Sequence, residues 1–156
     1  MVQRQKGFSL IELMIVVFLL GILAAMSTNI GSFFSNNQTQ PYASSLQTAM
    51  ALAKSEAVKY KQEVRLLPLN ATWNSGWKIV KIEADASQTL IREFPALPDT
   101  MNMSSKDFTT ANPPTFLPTG IITKAGSFSL TADGAKAGAN REVTILISGQ
   151  VQIKRS

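Results

Sequence analysis

The chain reads as an α+β protein, a long N-terminal α-helix packed in its second half on a mostly antiparallel β-sheet head. Three observations predict this. An apolar run from Leu13 to Met26 is long enough to form most of a membrane-spanning helix. Leu46, Ala49, Met50, Ala53, Ala57 and Tyr60 then recur at three- and four-residue steps, with charged and polar residues between them, which is the period of an amphipathic helix. From residue 63 onward, short segments alternate apolar and polar residues between Gly, Pro and Asn punctuation, the pattern of half-buried strands.

Residues 1–7, Met-Val-Gln-Arg-Gln-Lys-Gly, are short, polar and positive. Residues 8–30 form the first helix, about 35 Å long and sufficient to cross a bilayer core. The basic residues before it predict a cytoplasmic N-terminus and a single pass. Two simpler readings compete. One is a secretory signal peptide with small residues near Ala24–Ser27. The other is a plain membrane anchor. Glu12 argues against both, because a carboxylate in an apolar helix costs about 2–4 kcal/mol and needs a partner. A cut after Gly7 supplies one. The freed amine of Phe8 lies four residues before Glu12, within reach of that carboxylate in the same chain or in a neighbour.

The rest, residues 31–156, reads as one head domain. Ser35-Asn36-Asn37-Gln38-Thr39-Gln40-Pro41 is a polar stretch that interrupts or merely solvates the helix. The amphipathic helix runs over about 41–62 and ends before Pro68. Strands are expected at Val64–Leu69, Gly76–Glu83, Thr89–Phe94, around Met101 and Met103, at Ser127–Thr131 and from Glu142 to Ile147. Ser148-Gly149 then turns the chain into Val151 and Ile153 as a C-terminal hairpin. Pro113-Pro114 and Ala132–Asn140 read as loops.

Composition narrows the chemistry. There is no cysteine and no histidine, so disulfides, thiolate metal sites and histidine-dependent proton transfer are excluded. The ten carboxylates are scattered, and no glycine-rich phosphate loop is present. No catalytic residue, metal or cofactor is expected; a Ser–Lys arrangement is the one catalytic pattern left open. Trp73 and Trp77 read either as core packing or as an exposed recognition pair. The net charge of +5 is modest, and Arg4 and Lys6 in the first seven residues supply part of it.

The stretch Lys6-Gly7-Phe8-Ser9-Leu10-Ile11-Glu12-Leu13-Met14-Ile15-Val16 closely resembles the class III signal of type IV prepilins and type II secretion pseudopilins. The resemblance implies a pilin-like fold and a prepilin peptidase that cuts between Gly7 and Phe8 and methylates the new Phe8 amine. It implies that Glu12 guides docking into a filament. Many relatives bend this helix with a proline. Here Ser27-Thr28-Asn29-Ile30-Gly31 has none, so the helix is straighter there or loosens at Gly31. Ala53-Lys54-Ser55-Glu56-Ala57-Val58, Trp73 with Gly76-Trp77, Phe116-Leu117-Pro118-Thr119-Gly120 and Arg141-Glu142-Val143-Thr144-Ile145 with Ser148-Gly149 are similar to motifs of the GspH/FimT/FimU subgroup. Some of those relatives hold the C-terminal region with a disulfide; this chain must rely on packing and strand pairing.

What the resemblance implies is a structural and assembly role, not an enzyme. The expected partners are the prepilin peptidase, other major or minor pilins or pseudopilins, and an inner-membrane assembly platform. The chain would sit in the inner membrane with its head in the periplasm, then enter a pilus or pseudopilus. Type IV pilus and type II secretion system both fit. Some FimT-like relatives take part in DNA uptake through a C-terminal Gly-Arg-x-Arg. Here the matching residues are Gly149-Gln150-Val151-Gln152, so a diluted DNA site would fall to Lys136, Arg141, Lys154 and Arg155. The alternative is a basic chain end that stays in water. A non-filament, membrane-anchored β-rich domain is the remaining reading, and it keeps its N-terminus uncut.

Overall fold

Two units make up the chain, Met1–Phe34 and Ser35–Ser156, and the computed structural model describes residues 9–27, 38–134 and 138–156. In the first unit the described element is helix α1, Leu10–Ser27. The ends of the expected 8–30 span, the region around Gly31 and most of the polar stretch before Pro41 lie outside the described residues.

The head is built on helix α2, Thr39–Tyr60. It starts two residues earlier than the periodicity predicts, because Pro41 falls in the first turn, where its missing N–H breaks no helical bond. It ends at Lys61, whose backbone is left-handed (φ 53°) and cannot continue the helix. Its buried face is Thr39, Ala43, Leu46, Ala49, Met50, Ala53 and Ala57. The six apolar members of that stripe are fully buried. Four of them are alanines, which bring the helix backbone close to whatever it packs on.

What it packs on is two antiparallel sheets of four strands each. The first has the order β3-β2-β1-β5, with β1 Val64–Pro68, β2 Trp77–Ile82, β3 Gln88–Phe94 and β5 Thr115–Phe116. The second has the order β4-β6-β7-β8, with β4 Met101–Ser104, β6 Gly126–Ala132, β7 Arg141–Ile145 and β8 Val151–Arg155. The predicted strands are all present within a residue or two. The two-residue β5 has no counterpart among them, since it is too short to show alternation. It pairs Phe116 with Val64 and Thr115 with Arg65. In β3 the register slips: Ile79 faces Arg92 and Val80 faces Leu90, so Ile91 is an extra, bulged residue.

Alternation along the strands fills the core. Val64, Leu66, Ile79, Phe128, Leu130, Val143 and Ile145 are all buried beside the α2 stripe. Register places Leu66 opposite Ile79 and Phe128 opposite Val143. Aromatic rings close one side. Trp73 meets Phe128 edge-on at 4.8 Å, and Phe108 stacks on Phe128 at 5.2 Å. Trp73 Nε1 donates to the Phe108 carbonyl (3.2 Å). Trp77 stacks on Phe94 at 5.6 Å. Both tryptophans are buried, so they are core residues and not an exposed recognition pair. Trp77 Nε1 has no hydrogen-bond partner among the described residues, which costs about 1–3 kcal/mol that its stacked ring must offset.

The alanine stripe makes a direct prediction. Ala53→Leu puts a large side chain where no space exists and lowers the unfolding free energy by about 1–3 kcal/mol or more. Ala51→Leu, on the exposed face of the same helix, changes it by less than about 0.5 kcal/mol. Urea denaturation of the two variants measures the difference; equal effects would mean that α2 is not pressed against the sheets.

Candidate functional site: the apolar helix and the turns of the head

Helix α1 is 18 residues long, about 27 Å. Ser9 opens it, its carbonyl accepting from Glu12 N–H (3.0 Å) and Leu13 N–H (3.2 Å). Every described side chain from Ser9 to Ala25 is exposed. Leu10 is 77% exposed and Phe18 69%. Glu12 is the sole charged residue of the helix and stands in its first turn, where a negative charge suits the positive end of the helix dipole. Among the described residues, no helix is long and apolar enough to cross a membrane. The expected span adds residues at both ends of α1, and these lie outside the described residues, as do Gly7 and Phe8. A helix so apolar and so uncovered is stable in water only with other apolar surface, lipid or protein, around it.

Of the four cations singled out for DNA, the structure uses one internally. Arg141 is 3% exposed. Its Nε donates to Gln40 Oε1 (2.8 Å), and its terminal NH1 nitrogen donates to the carbonyls of Gly138 (3.0 Å), Ala139 (3.1 Å) and Asn140 (2.9 Å). Thr39 Oγ1 adds a bond to the Ala139 carbonyl. Together these hold the first turn of α2, which has no side-chain N-cap, to the segment entering β7. Among the described residues, Arg141 forms no ion pair with a carboxylate. Burial holds its pKa below the usual arginine range, and the nearby Arg155 pushes the same way. Its guanidinium is therefore not presented to a phosphate in solution. Lys154 and Arg155 are exposed on the edge strand β8, with Lys154 directly across from Glu142. Lys136 lies outside the described residues.

The other sequence motifs converge. Gly120 (φ 80°) closes a turn with its N–H on the Leu117 carbonyl (2.8 Å). Gly149 (φ 73°) closes the β7–β8 hairpin with its N–H on the Leu146 carbonyl (2.8 Å). A side chain on Gly149 would lie 2.7 Å from the Gly120 carbonyl and 3.2 Å from Lys54 Cδ; one on Gly120 would lie 3.2 Å from Val58 Cγ2. Both positions need glycine for the backbone angle and for the approach. Lys54 Nζ seals the place by donating to the Ser148 carbonyl (2.8 Å). Ile122 N–H donates to the Ile147 carbonyl (3.1 Å), tying the two turns together. Three stretches far apart in sequence thus meet at the C-terminal half of α2. Their spacing alone carries no sign of this meeting. Lys54 is held by that carbonyl, and among the described residues no lysine is hydrogen-bonded to a serine hydroxyl. No cluster of metal-ligating side chains occurs among the described residues either.

Comparison with known proteins gives the same outline. Residues 42–150 match the family model described as type II transport protein GspH. Residues 2–28 match the prokaryotic N-terminal methylation motif. No curated protein matches the chain. Among solved structures, the type IV minor pilin FimU of Pseudomonas aeruginosa is similar at a TM-score of 0.61 and 22% identity, over 74% of this chain and 87% of that one. The minor pseudopilin EpsH of the type 2 secretion system of Vibrio cholerae is similar at a TM-score of 0.62 and 14% identity, over 76% of this chain and 98% of that one.

The Arg141 cluster yields a stability prediction. Arg141→Ala removes the donor that ties Gln40 Oε1 to the carbonyls of Gly138, Ala139 and Asn140 and lowers the unfolding free energy by about 1–3 kcal/mol. Lys154→Ala leaves it within about 0.5 kcal/mol. Arg155→Ala does the same or raises it slightly, since it removes a like charge. Urea titrations of the three variants decide it; equal small effects would mean that Arg141 is not an internal tie.

Proposed function

Because the chain belongs to the GspH family of type II transport proteins, we propose that it is a minor pilin or pseudopilin. In this reading it is a structural subunit of a type IV pilus or a type II secretion pseudopilus. The observation that carries the reading is α1: a nearly wholly apolar helix, exposed at every described side chain, with one carboxylate in its first turn. A signal peptide would have no use for that carboxylate, and a simple anchor would be destabilised by it to no purpose.

The N-terminal methylation motif supports the proposed processing. The chain is cut between Gly7 and Phe8 by a prepilin peptidase, which also methylates the Phe8 amine. Glu12 then pairs with the positive Phe8 terminus of a neighbouring subunit. In a bundle of apolar helices that pairing sets the axial register, because any other register leaves the carboxylate unpaired in an apolar surrounding. The apolar surface of α1 rests in the inner membrane before assembly and against neighbouring helices afterward. The N-terminus is cytoplasmic and the head periplasmic. An assembly platform in the inner membrane moves the subunit from one setting to the other. The role is structural: chemistry is done to this protein and not by it.

Intact mass and N-terminal sequencing of the protein from membranes, with and without the cell's prepilin peptidase, test this. The expected product begins at N-methylated Phe8 only when the peptidase is present. Glu12→Gln is cut as before but falls at least tenfold in the sheared filament fraction. A chain that begins at Met1 or Val2, or that is cut near Ser27, would overturn the proposal.

A further inference from the structure

Away from α1 and the two glycine turns, the second sheet carries a cleft on the face that points away from the core. Its volume is about 460 Å³, and it is lined by Ser104, Ser127, Ser129, Glu142 and the segment 105–107, with no apolar side chain among them. Strand register builds its floor: Ser104 on β4 faces Ser129 on β6, and Ser129 faces Glu142 on β7. Side chains opposed in this way stand about 4.5–5.5 Å apart. The wall is the segment after β4, locked to β6. Ser105 Oγ donates to the Ser127 carbonyl (2.6 Å) and accepts from the N–H groups of Asp107 (3.2 Å) and Phe108 (3.0 Å). Ser127 N–H donates to Asp107 Oδ2 (2.9 Å), and Lys124 Nζ donates to the Asp107 carbonyl (3.2 Å). A side chain on Gly126 would lie 2.5 Å from Asp107 Cβ and 2.7 Å from Phe108 Cε2, so only glycine lets wall and floor meet.

The groups left inside that fixed frame have no internal use. Among the described residues, the hydroxyls of Ser104, Ser127 and Ser129 make no hydrogen bond, and neither Glu142 nor Lys106 has an ion pair. Glu142 is half-buried, and a half-buried carboxylate gains from any donor brought to it. We propose that this cleft binds an uncharged sugar unit of a glycan. Sugar hydroxyls donate and accept, so they match serine hydroxyls in either role. Two neighbouring ones donate to the two oxygens of Glu142, and Lys106 donates to a hydroxyl or ring oxygen. A second cleft of about 370 Å³ shares Ser104 and Ser105 and runs on to Thr72, Thr109 and Thr110. The two together suit a chain of sugars, and each has the size of a small-ligand site.

Other ligand classes fit poorly. Asp107 and Glu142 repel a phosphate, and with it a nucleic acid. A bare metal ion would meet these carboxylates alone, with Asp107 already held by Ser127 N–H and by Lys124 at 3.9 Å, and Lys106 would oppose it. An apolar segment finds no apolar lining. The site goes beyond the filament reading and does not rest on it.

The full-length protein, in a detergent without a sugar headgroup, tests this on a printed array of uncharged and charged oligosaccharides. Each is attached either through a plain spacer or through a lipid. At least one uncharged oligosaccharide should be retained in both forms, with little change as salt is raised. Ser129→Leu, which fills the cleft, and Glu142→Ala, which removes the carboxylate, should each lower that retention about tenfold or more. Both side chains stand on the solvent side of their strands, so the fold survives the changes. Gln88→Ala, exposed on β3 of the other sheet, should leave retention unchanged. Retention of no uncharged oligosaccharide overturns the inference. So does retention of charged ones alone that salt abolishes, which is surface-charge attraction, or of lipid-linked forms alone, which is contact through α1. Retention that neither cleft variant lowers overturns it as well. None of these outcomes touches the filament reading.

Discussion

The close approach of α2 to two sheets at once is the constraint on which the head depends. Ala43, Ala49, Ala53 and Ala57 are fully buried, and alanine brings a helix near a sheet only when the facing positions fill the space in return. Leu66, Ile79, Phe128, Val143 and Ile145 do that from both sheets. A head of this size with no disulfide must obtain its stability from such burial and from strand pairing. The direct ties between the sheets are small by comparison: the Phe116–Ile122 bridge and the Ile122–Ile147 hydrogen bond.

Arg141 shows how that arrangement is fixed at the other end of the helix. A buried guanidinium is costly unless its donors are met. Here they are met by backbone carbonyls and an amide oxygen, not by a carboxylate. Carbonyl dipoles can be aimed at one point by a single turn of chain, and Gly138, Ala139 and Asn140 supply three in succession. The same residue therefore sets the path into β7 and the position of Gln40 on α2. The cost of burial appears in the lowered pKa; what it secures is a directional tie that apolar packing alone cannot give.

Much of this is legible in the residues. The charged first residues, Gly7, Phe8 and Glu12 before an apolar run mark the N-terminal signal, because a carboxylate in an apolar helix is destabilising unless a positive group meets it. The amphipathic stripe of α2 and the alternation in β6, β7 and β8 locate those elements, since period follows directly from which face is buried. Division into two sheets is not legible, because it depends on pairings between strands distant in sequence. The two-residue β5 is too short to carry a period. Arg141 reads as surface because arginine usually is, yet a signal exists: it keeps phase with Val143 and Ile145, whose face is the core. The meeting of Gly120, Gly149 and Lys54 has no local sign, for each motif makes sense alone as a turn or a helix.

The lengthwise contact of α2 with both sheets also has a mechanical consequence. A pull along the helix axis cannot open this head one strand at a time, as a pull across a sheet edge does. It must slide the whole stripe from Thr39 to Ala57 past two sheets at once, with Thr39 and Gln40 held by Ala139 and Arg141 at the loaded end. The resistance is shear shared over many contacts that fail together, so rupture is set by an unfolding rate and not by the weakest single bond. Such a head bears axial load well and peels readily from the side.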